Sequence, residues 1–335
     1  MSKLPFEDMR KYVFSRTGAK DPDVLCGPAF AEDAAVIRLH DNVLVAHADP
    51  IVGAVKHIGR LSVHISCNDI AVRGVRPRWI MPVIVLPEKY SREMVDEITG
   101  DIHSAAREIG AAVVGGHLGY AAGLTRPLIA TSAFGTTGPD EYVLTGNARP
   151  GDRILITKGA GIEGTAIIAF DFEKELNDCG VTGDVVSRAR RMMNEISVVE
   201  ESLELFAAGA TSMHDATRGG VMEALIEVAI ASGVRAEVEE SLIPVREPTR
   251  VFAGKLSFDP LKLISSGTVV ATIPPDRLAE VRERLTGLGV EFSEVGTMSE
   301  GAGVRLRRRN GNVETFDSPK MEEDELAELW KRYRS

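Results

Sequence analysis

Two aspartates near the start of the chain have neighbours that suit a metal or phosphate site. Asp33 follows Glu32 in the segment AEDAAV, where two carboxylates precede a predicted strand and small residues let a ligand approach the backbone. Asp49 lies in HADP at the end of the next predicted strand, where α/β proteins often bind ligands. Carboxylates with no cationic partner nearby in the sequence suit a hard cation. Taken alone, each aspartate is more typical of a solvated loop or a turn.

A third candidate is the pair Asn68 and Asp69 in the segment SCNDIA, which lies inside an apolar helical pattern. An Asn-Asp pair lowers helix propensity there and buries polar groups, so the pair needs a reason. A metal or a phosphate is one reason. A cap or a hydrogen bond within the core is the other, and the sequence leaves both open.

A glycine pair follows the apolar run AAVV and precedes a histidine, as Gly115, Gly116 and His117. Glycines at this point would let backbone N–H groups face a phosphate. A single Gly-Gly turn is weak evidence, and a loop histidine is more often hydrogen bonded than bound to metal.

The segment HDATRGGV opens a predicted helix and is the most informative motif of the second half. Glycine is a poor helix former, so Gly219 and Gly220 in the first turn indicate the close approach of another group. Thr217 or Asp215 could cap this helix, and the Arg218 guanidinium could reach a phosphate.

The elements that must position these residues follow from hydrophobic periodicity. Helices are predicted over 6–16, 57–73, 91–109, 163–176, 184–193, 196–208, 219–232 and 275–287, with another docked at the C-terminus. Strands are predicted over 34–38, 42–48, 79–86, 111–114, 127–138, 153–157, 234–239 and 267–273, and Pro82 favours an edge or a bulge. The irregular mixture of strands and helices predicts an α+β fold.

The length of 335 residues suits two domains, and the proline- and glycine-rich segment 138–152 predicts their boundary. We expect an N-terminal domain over 1–147 and a C-terminal domain over 148–335. The net charge of −10 argues against a general nucleic-acid binder. No signal peptide and no membrane-spanning run is evident, which predicts a cytoplasmic protein without a membrane partner.

The ordered set of motifs resembles one superfamily. AEDAAV, HADP, CNDIAVRGVRP, VVGGH, GDRILITKGAGIEG, HDATRGGV and DPLKLISSGTVVATIPP occur in the order of the AIR-synthase (PurM-like) superfamily, over roughly residues 25–300. The sequence looks most similar to the branch of the hydrogenase-maturation HypE proteins. The resemblance implies two α+β domains, a homodimer that pairs the N-terminal sheets, and ATP with Mg²⁺ in the cleft between the dimer core and the C-terminal domain.

The resemblance also implies roles for individual residues. Mg²⁺ would be held by Asp33, Asp49 and Asp69. The nucleotide would contact a larger set of motif residues, namely Asp49, Asn68, Gly115, Gly116, His117, Asp215, Arg218, Gly219 and Gly220.

Several positions depart from the family pattern. Glu32 replaces the first aspartate of Gly-Asp-Asp, His117 replaces an acid after Gly-Gly, and Ser266 replaces a glutamate of the HypE proteins. HypE proteins end in a cysteine that carries a carbamoyl group, whereas this sequence has no cysteine after Cys179 and ends at Ser335. These departures imply a substrate separate from the chain's own terminus.

The resulting hypothesis is an ATP-dependent enzyme that activates an amide-like or phosphate oxygen of a separate substrate, working with another maturation protein. One alternative is a small-molecule kinase resembling thiamine-monophosphate kinase, which shares the N-terminal aspartates. The other is a non-catalytic, nucleotide-responsive maturation partner, which the Ser266 and His117 departures favour.

Overall fold

The computed structural model describes residues 5–52, 56–319 and 324–334, and two mixed sheets organise them. Within these ranges the first sheet has seven strands: Val24–Cys26 (β1), Ala35–Leu39 (β2), Asn42–Ile51 (β3), Pro77–Pro87 (β4), Ala112–Val113 (β5), His117–Ala121 (β6) and Leu128–Thr137 (β7). Their order is β1-β2-β3-β7-β4, and β5 and β6 follow one another along the free side of β4. The predicted α+β class is confirmed.

The strand β4 lies inside the sheet despite its proline. It pairs antiparallel with β7 on one side and parallel with β5 and then β6 on the other. Pro82 falls where β5 ends and β6 has not begun, with its carbonyl oxygen against Gly116. A strand residue directs its backbone N and its C=O to the same neighbouring strand. The nitrogen of Pro82 therefore faces the gap between β5 and β6, where no strand needs an N–H donor. The predicted edge position is therefore wrong. Pro82 is accommodated inside the sheet because the pairing along this side of β4 is interrupted between β5 and β6.

Helices cover one face of the first sheet. A short helix at Phe6–Met9 (α1) runs into a π-helical turn at Arg10–Phe14, and Ile58–Ala71 (α2) and Arg92–Ile109 (α3) pack together. Ser91 caps α3 as predicted, since its side chain accepts a hydrogen bond from Met94 N. Nearly every residue of α2 is buried, so this helix carries its polar residues into the interior.

The second sheet follows in the chain. Among the described residues its strands are Arg153–Thr157 (β8), Ser212–Asp215 (β9), Arg235–Glu239 (β10), Val269–Ile273 (β11), Phe292–Ser299 (β12), Gly303–Arg307 (β13) and Val313–Phe316 (β14), in the order β14-β13-β10-β12-β8-β11-β9. The helices of this half are Ile162–Asp171 (α4), Glu173–Asp178 (α5), Gly183–Arg191 (α6), Val199–Ala207 (α7), Gly220–Ser232 (α8), Glu247–Leu256 (α9), Leu278–Gly287 (α10) and Glu325–Arg334 (α11).

Several of these elements differ from those that hydrophobic periodicity predicts, and the strands β1, β6 and β12 were not predicted. The helix predicted over 163–176 is two helices that meet at Phe172, and α9 was not predicted. The four-residue strand β9 also escaped prediction, because it is too short for alternation to show. The predicted strand at 111–114 exists over two residues, but Val113 and Val114 are exposed rather than buried.

The segment between the sheets contains the 3₁₀ turn Thr145–Asn147. The first sheet ends at Thr137 and the second begins at Arg153, so the proposed domain division at 147/148 falls between them and stays a prediction. No helix of the described residues is long and apolar enough to cross a membrane.

Asn68 joins the two halves. Its side-chain Nδ2 donates to the Ile196 carbonyl at 2.9 Å, and its Oδ1 accepts from Val198 N at 2.9 Å, directly before α7. The side-chain amide is completely buried. It is the hydrogen-bond partner of the Ile196 carbonyl and of the Val198 N–H. Its anomalous place in an apolar helix therefore has a structural reason, and nucleotide binding by Asn68 stays a prediction.

We expect Asn68→Ala to destabilise the protein by about 3 kcal/mol, because it leaves a buried N–H and a buried C=O without partners at about 1–3 kcal/mol each. Urea unfolding measures the change. Ser66→Ala is the matched control on the same helix, since it removes one bond, from Ser66 Oγ to the Thr131 carbonyl. An Asn68→Ala protein as stable as the Ser66→Ala protein would contradict the role of Asn68 in joining the two halves.

Candidate functional site

Carboxylates from three separate elements converge between the two sheets. Asp33 lies in the turn before β2, Asp69 in the last turn of α2, and Asp215 at the end of β9. Burial, then the charges of Asp215, Asp33 and Asp49, raises the pKa of Asp69 well above its ordinary value. The fold therefore brings together residues that lie more than 180 positions apart in the sequence.

Two cationic groups hold Asp33. Its Oδ2 lies 3.2 Å from Arg73 Nη2 and 2.5 Å from His214 Nδ1. Arg73 is fully buried at 0% exposure and also lies 3.0 Å from Glu32 Oε2. A buried guanidinium is tolerated only when paired, so Arg73 and the two carboxylates stabilise one another.

His214 is clamped between two carboxylates. Its Nε2 lies 2.7 Å from Glu227 Oε2, opposite its contact with Asp33. Burial alone would lower the pKa of His214, but the ion pairs with Asp33 and Glu227 outweigh it and raise the pKa to about 10. The imidazole is thus a cation at neutral pH, which offsets negative charge in the cluster rather than offering a lone pair to a metal.

Asp69 contacts a second histidine. His47 Nε2 lies 3.2 Å from Asp69 Oδ2, and His47 Nδ1 hydrogen bonds the backbone carbonyl of Asp33. A carbonyl only accepts, so Nδ1 is the donor in this hydrogen bond. His47 therefore positions Asp69 against the Asp33 turn.

Asp215 is the carboxylate without a partner. It is 1% exposed, and neither Oδ1 nor Oδ2 has a hydrogen-bond partner. Burial and then the charge of Asp33 raise the pKa of Asp215 to about 7. Ligand atoms of Asp33, His214 and Asp215 all lie within 4.8 Å of one another. Because His214 is a cation, the carboxylates of Asp33 and Asp215 are the members of this group that suit a metal ion.

Glu32, which departs from the Gly-Asp-Asp pattern, connects the turn that carries Asp33 to the segment between the sheets. Besides Arg73, its carboxylate accepts from Thr145 N and Gly146 N at 3.3 Å each. Arg73 Nη2 also donates to Thr145 Oγ1 at 2.9 Å. The longer glutamate thus ties the Asp33 turn to the 3₁₀ turn between the sheets.

The HDATRGG segment forms a tight turn into α8. Gly219 and Gly220 have φ of +74° and +64°, and a Cβ on Gly220 would lie 2.5 Å from the Leu261 carbonyl oxygen. Both positions therefore need glycine. Gly219 N donates to Asp324 Oδ2 at 3.1 Å, so an acidic oxygen already lies at the start of this helix.

A cavity of about 190 Å³ adjoins the cluster, and Asp49 and Arg218 both line it. Two lysines, Lys158 and Lys56, do not serve the cavity in this way. Lys158 has no N–H left for a phosphate. Its Nζ contacts the Glu195 and Ser197 carbonyls and Glu201 Oε1 within 3.0 Å, which uses all three protons. Lys56 lies on the surface, 4.0 Å from Glu97.

The pair Gly115-Gly116 and His117 lie apart from the aspartates. Across the first sheet, Asp49 pairs with Thr131, Thr131 pairs with Pro82, and Gly116 contacts Pro82. Within one chain, Asp49 and Gly116 are therefore separated by three strand-to-strand spacings, a distance of about 14 Å. His117 is exposed at the start of β6. The nucleotide-binding role of these three residues stays a prediction.

Sequence reasoning missed four residues that the structure adds to the site. Arg73 follows the ND motif, where a basic residue after a helix is usually solvated. His47 and His214 lie inside quoted motifs but carried no spacing signal. Glu163, in GIEG, lines the cavity, and an acid in the first turn of a helix reads as a dipole partner.

Comparison with known protein families matches both halves of the chain. The family model for the N-terminal domain of AIR synthase related proteins matches residues 31–137, and the model for their C-terminal domain matches residues 149–309. With its two α+β halves and aspartate cluster, the chain belongs to the AIR synthase related family, and within that family it is similar to the HypE proteins. The predicted resemblance is confirmed.

Two curated relatives illustrate this similarity. The hydrogenase expression/formation protein HupE of Azotobacter chroococcum mcd 1 is 31% identical over 249 residues, covering 72% of this chain and 69% of that protein. The carbamoyl dehydratase HypE of Rhodobacter capsulatus is 28% identical over 320 residues, covering 93% and 90%.

Solved structures share the fold. A HypE–HypF complex aligns with a TM-score of 0.70 at 25% identity, covering 85% of this chain and 93% of that one. The hydrogenase maturation protein HypE in complex with ATP aligns with a TM-score of 0.68 at 24% identity, covering 92% and 90%.

We expect Asp215→Asn to stabilise the metal-free protein as pH rises. Between about pH 4 and 7 the native state holds a proton on Asp215 that the unfolded chain has released, so this group makes the wild type less stable with increasing pH. The stability of the variant relative to wild type should grow to at most about 4 kcal/mol above pH 7. Urea unfolding in EDTA at pH 4 and pH 8 measures it.

Asp152→Asn is the matched control. Asp152 is also buried, but its Oδ2 accepts from Arg149 N at 2.9 Å and from Thr211 Oγ1 at 2.6 Å, so this substitution should lower stability. An Asp215→Asn protein that is less stable than wild type at pH 8 would show that Asp215 is satisfied in the fold.

Proposed function

We propose that this protein binds ATP with Mg²⁺ and uses it to activate an amide-like or phosphate oxygen of a separate substrate during hydrogenase maturation in the cytoplasm. The observation that carries the proposal is the convergence of Asp33, Asp69 and Asp215, with both oxygens of Asp215 buried and unpartnered. Leaving such a group unsatisfied costs about 1–3 kcal/mol or more, which a bound cation would offset.

The residues fit magnesium better than a softer metal. Mg²⁺ prefers carboxylate oxygens, and Asp33, Asp49, Asp69 and Asp215 supply them, whereas the nearby His214 is a cation. When bound, Mg²⁺ would offset the charge that develops on a transferring phosphoryl group. Arg73 and His214 hold Asp33 in place, and His47 does the same for Asp69.

The start of α8 suits the phosphates. Gly219 N already binds an acidic oxygen, and Arg218 next to it lines the cavity that Asp49 also lines. A helix N-terminus and a guanidinium together favour an anion. This arrangement supports Asp215, Arg218, Gly219 and Gly220 as nucleotide-binding residues.

The reaction class is inferred from the relatives. Carbamoyl dehydratase is the activity named for HypE of Rhodobacter capsulatus, which aligns with 93% of this chain. The described C-terminal helix α11 forms a wall of the cavity through Leu326, Ala327 and Trp330, so the substrate we infer enters beside it. A HypE–HypF complex of the same fold supports a second maturation protein as partner.

We expect calorimetry to detect ATP binding that requires Mg²⁺, and Asp69→Asn to weaken it at least tenfold, about 1.4 kcal/mol. Asp178→Asn, at an exposed aspartate of α5, is the control and should bind as wild type. No ATP binding by the wild type with Mg²⁺ would overturn the proposal.

The same preparation separates the alternatives. Phosphoryl transfer to thiamine monophosphate would favour the kinase. ATP binding without hydrolysis or transfer to any amide or phosphate acceptor would favour the non-catalytic partner.

A homodimer through the first sheet is the second part of the proposal. Large apolar side chains are exposed on β4 to β6 and the turn between β5 and β6, namely Met81, Val83, Val113, Val114, Leu118 and Tyr120. Clustered apolar exposure of this kind marks protein–protein interfaces. Gly115, Gly116 and His117 lie within this region, so they would reach a nucleotide only across such an interface.

We expect light scattering to give the wild type twice the chain mass of 36.2 kDa, and Val83→Glu to give the single-chain mass, because a charge would be buried in the interface. Leu242→Glu is matched in exposure, at 50% against 39% for Val83, but lies on a turn of the second half. It should remain dimeric. A Val83→Glu dimer as stable as wild type would place the interface elsewhere.

A further inference from the structure

The cavity beside the aspartates is also lined by two polar residues to which the proposed function gives no role. Glu163 and Ser266 line it together with the apolar side chains of Ile65 and Ile167. Glu163 comes from the first turn of α4, and Ser266 from the loop before β11. The two residues thus belong to different segments that the fold brings to one wall.

Both side chains are buried, and each leaves one oxygen without a hydrogen-bond partner. Glu163 is 3% exposed and Ser266 is 0% exposed, yet Glu163 Oε2 and Ser266 Oγ are left unsatisfied. Burial raises the pKa of Glu163 to about 7, and the nearby Ser266 hydroxyl opposes that rise. Leaving buried polar atoms unsatisfied is costly, so a ligand that pairs with both would recover that cost.

The surrounding loops hold this pair rigidly. Gly161 N donates to Ser265 Oγ at 2.6 Å, and Gly164 N donates to the Ile264 carbonyl at 3.0 Å, on either side of Glu163. A Cβ on Gly164 would lie 2.4 Å from Leu263 Cγ, so the helix and the loop are in close contact. The pair is therefore preorganised.

The charge of the cavity selects against anions beside Glu163. Asp49, Glu163 and Asp324 contribute carboxyl groups to its lining, against the guanidinium of Arg218. A carboxylate or phosphate placed beside Glu163 would meet like charge in a poorly solvated site. A neutral group that both donates and accepts hydrogen bonds would satisfy a hydroxyl and a carboxyl together.

We propose that Glu163 and Ser266 are the acceptor-recognition pair and that they hold an uncharged head group which both donates and accepts hydrogen bonds, with an apolar body against the isoleucine wall. This inference rests on the proposed function, because it names the residues that select the substrate to be activated. Ser266 brings a hydroxyl beside Glu163 rather than a second carboxyl, which permits a neutral ligand.

The test uses butyramide and butyrate, which have the same shape and differ in the charge of the head group. Each is titrated by ligand-observed NMR into the full chain, without nucleotide or metal. We expect butyramide to bind at least tenfold more tightly than butyrate. Equal affinities, or no butyramide binding, would overturn the proposal. Because ATP is absent, such a failure is separate from a failure of Mg-ATP binding.

Variants assign the effect to the pair. Glu163→Leu and Ser266→Ala should each weaken butyramide binding at least tenfold, whereas Glu163→Gln keeps a donor and an acceptor and should remain within about threefold of wild type. Ser202→Ala is the matched control, since Ser202 is equally buried and unpartnered but does not line the cavity. Thermal unfolding checks that each variant is folded. Unchanged binding by folded Glu163→Leu or Ser266→Ala would overturn the assignment.

Discussion

Repulsion between buried carboxylates is the constraint on which this structure depends. Two unit charges 4.8 Å apart, the spread of the Asp33, His214 and Asp215 ligand atoms, repel by about 3–4 kcal/mol when both are negative at an effective dielectric constant of about 20. Asp69 and Asp49 add to that field. A protein gathers such charges only if other groups, or a ligand, offset them.

The fold supplies part of that compensation. Arg73 and His214 neutralise Asp33, and Glu227 keeps His214 charged from the other side. The clamp from Asn68 to the segment before α7 fixes the helix that carries Asp69 against the second half of the molecule. Neither oxygen of Asp215 has a hydrogen-bond partner, and the charge of His214 offsets only part of the effect of its burial. Asp215 is therefore the clearest sign that the compensation is completed by something that binds.

The same logic extends along the cleft. Gly219 N holds Asp324, so the start of α8 is occupied by a carboxylate of the chain itself. Beyond it, Glu163 and Ser266 leave a second unsatisfied pair against an apolar wall. The metal and the acceptor would thus each meet a group whose own polar requirement the fold leaves open, whereas a phosphate at the start of α8 would take the place of the Asp324 carboxylate.

Sequence reasoning reached the candidate ligands Asp33, Asp49 and Asp69 because their local contexts carry a signal. Asp33 and Asp49 lie at or near strand ends, and Asp69 interrupts an apolar helix with a polar residue. The HDATRGG turn could also be predicted from its local sequence, because glycines at the start of a helix indicate a position, such as Gly220 at φ +64°, that admits no side chain. No such local signal marked Arg73, His47 and Glu163, because the residues that they contact lie 14 or more positions away in the sequence. Asn68 shows where sequence reasoning stops. Its place in an apolar helix was recognisable as unusual from the sequence, but only the tertiary contacts to Ile196 and Val198 explain it.

The most direct measurement is a crystal structure of the protein soaked with Mn²⁺ and a non-hydrolysable ATP analogue, with the metal located by anomalous scattering. The account predicts a metal peak in direct coordination with carboxylates of Asp33, Asp49, Asp69 or Asp215, and phosphates at the start of α8 next to Arg218. A bound analogue whose metal contacts none of these four carboxylates would contradict it.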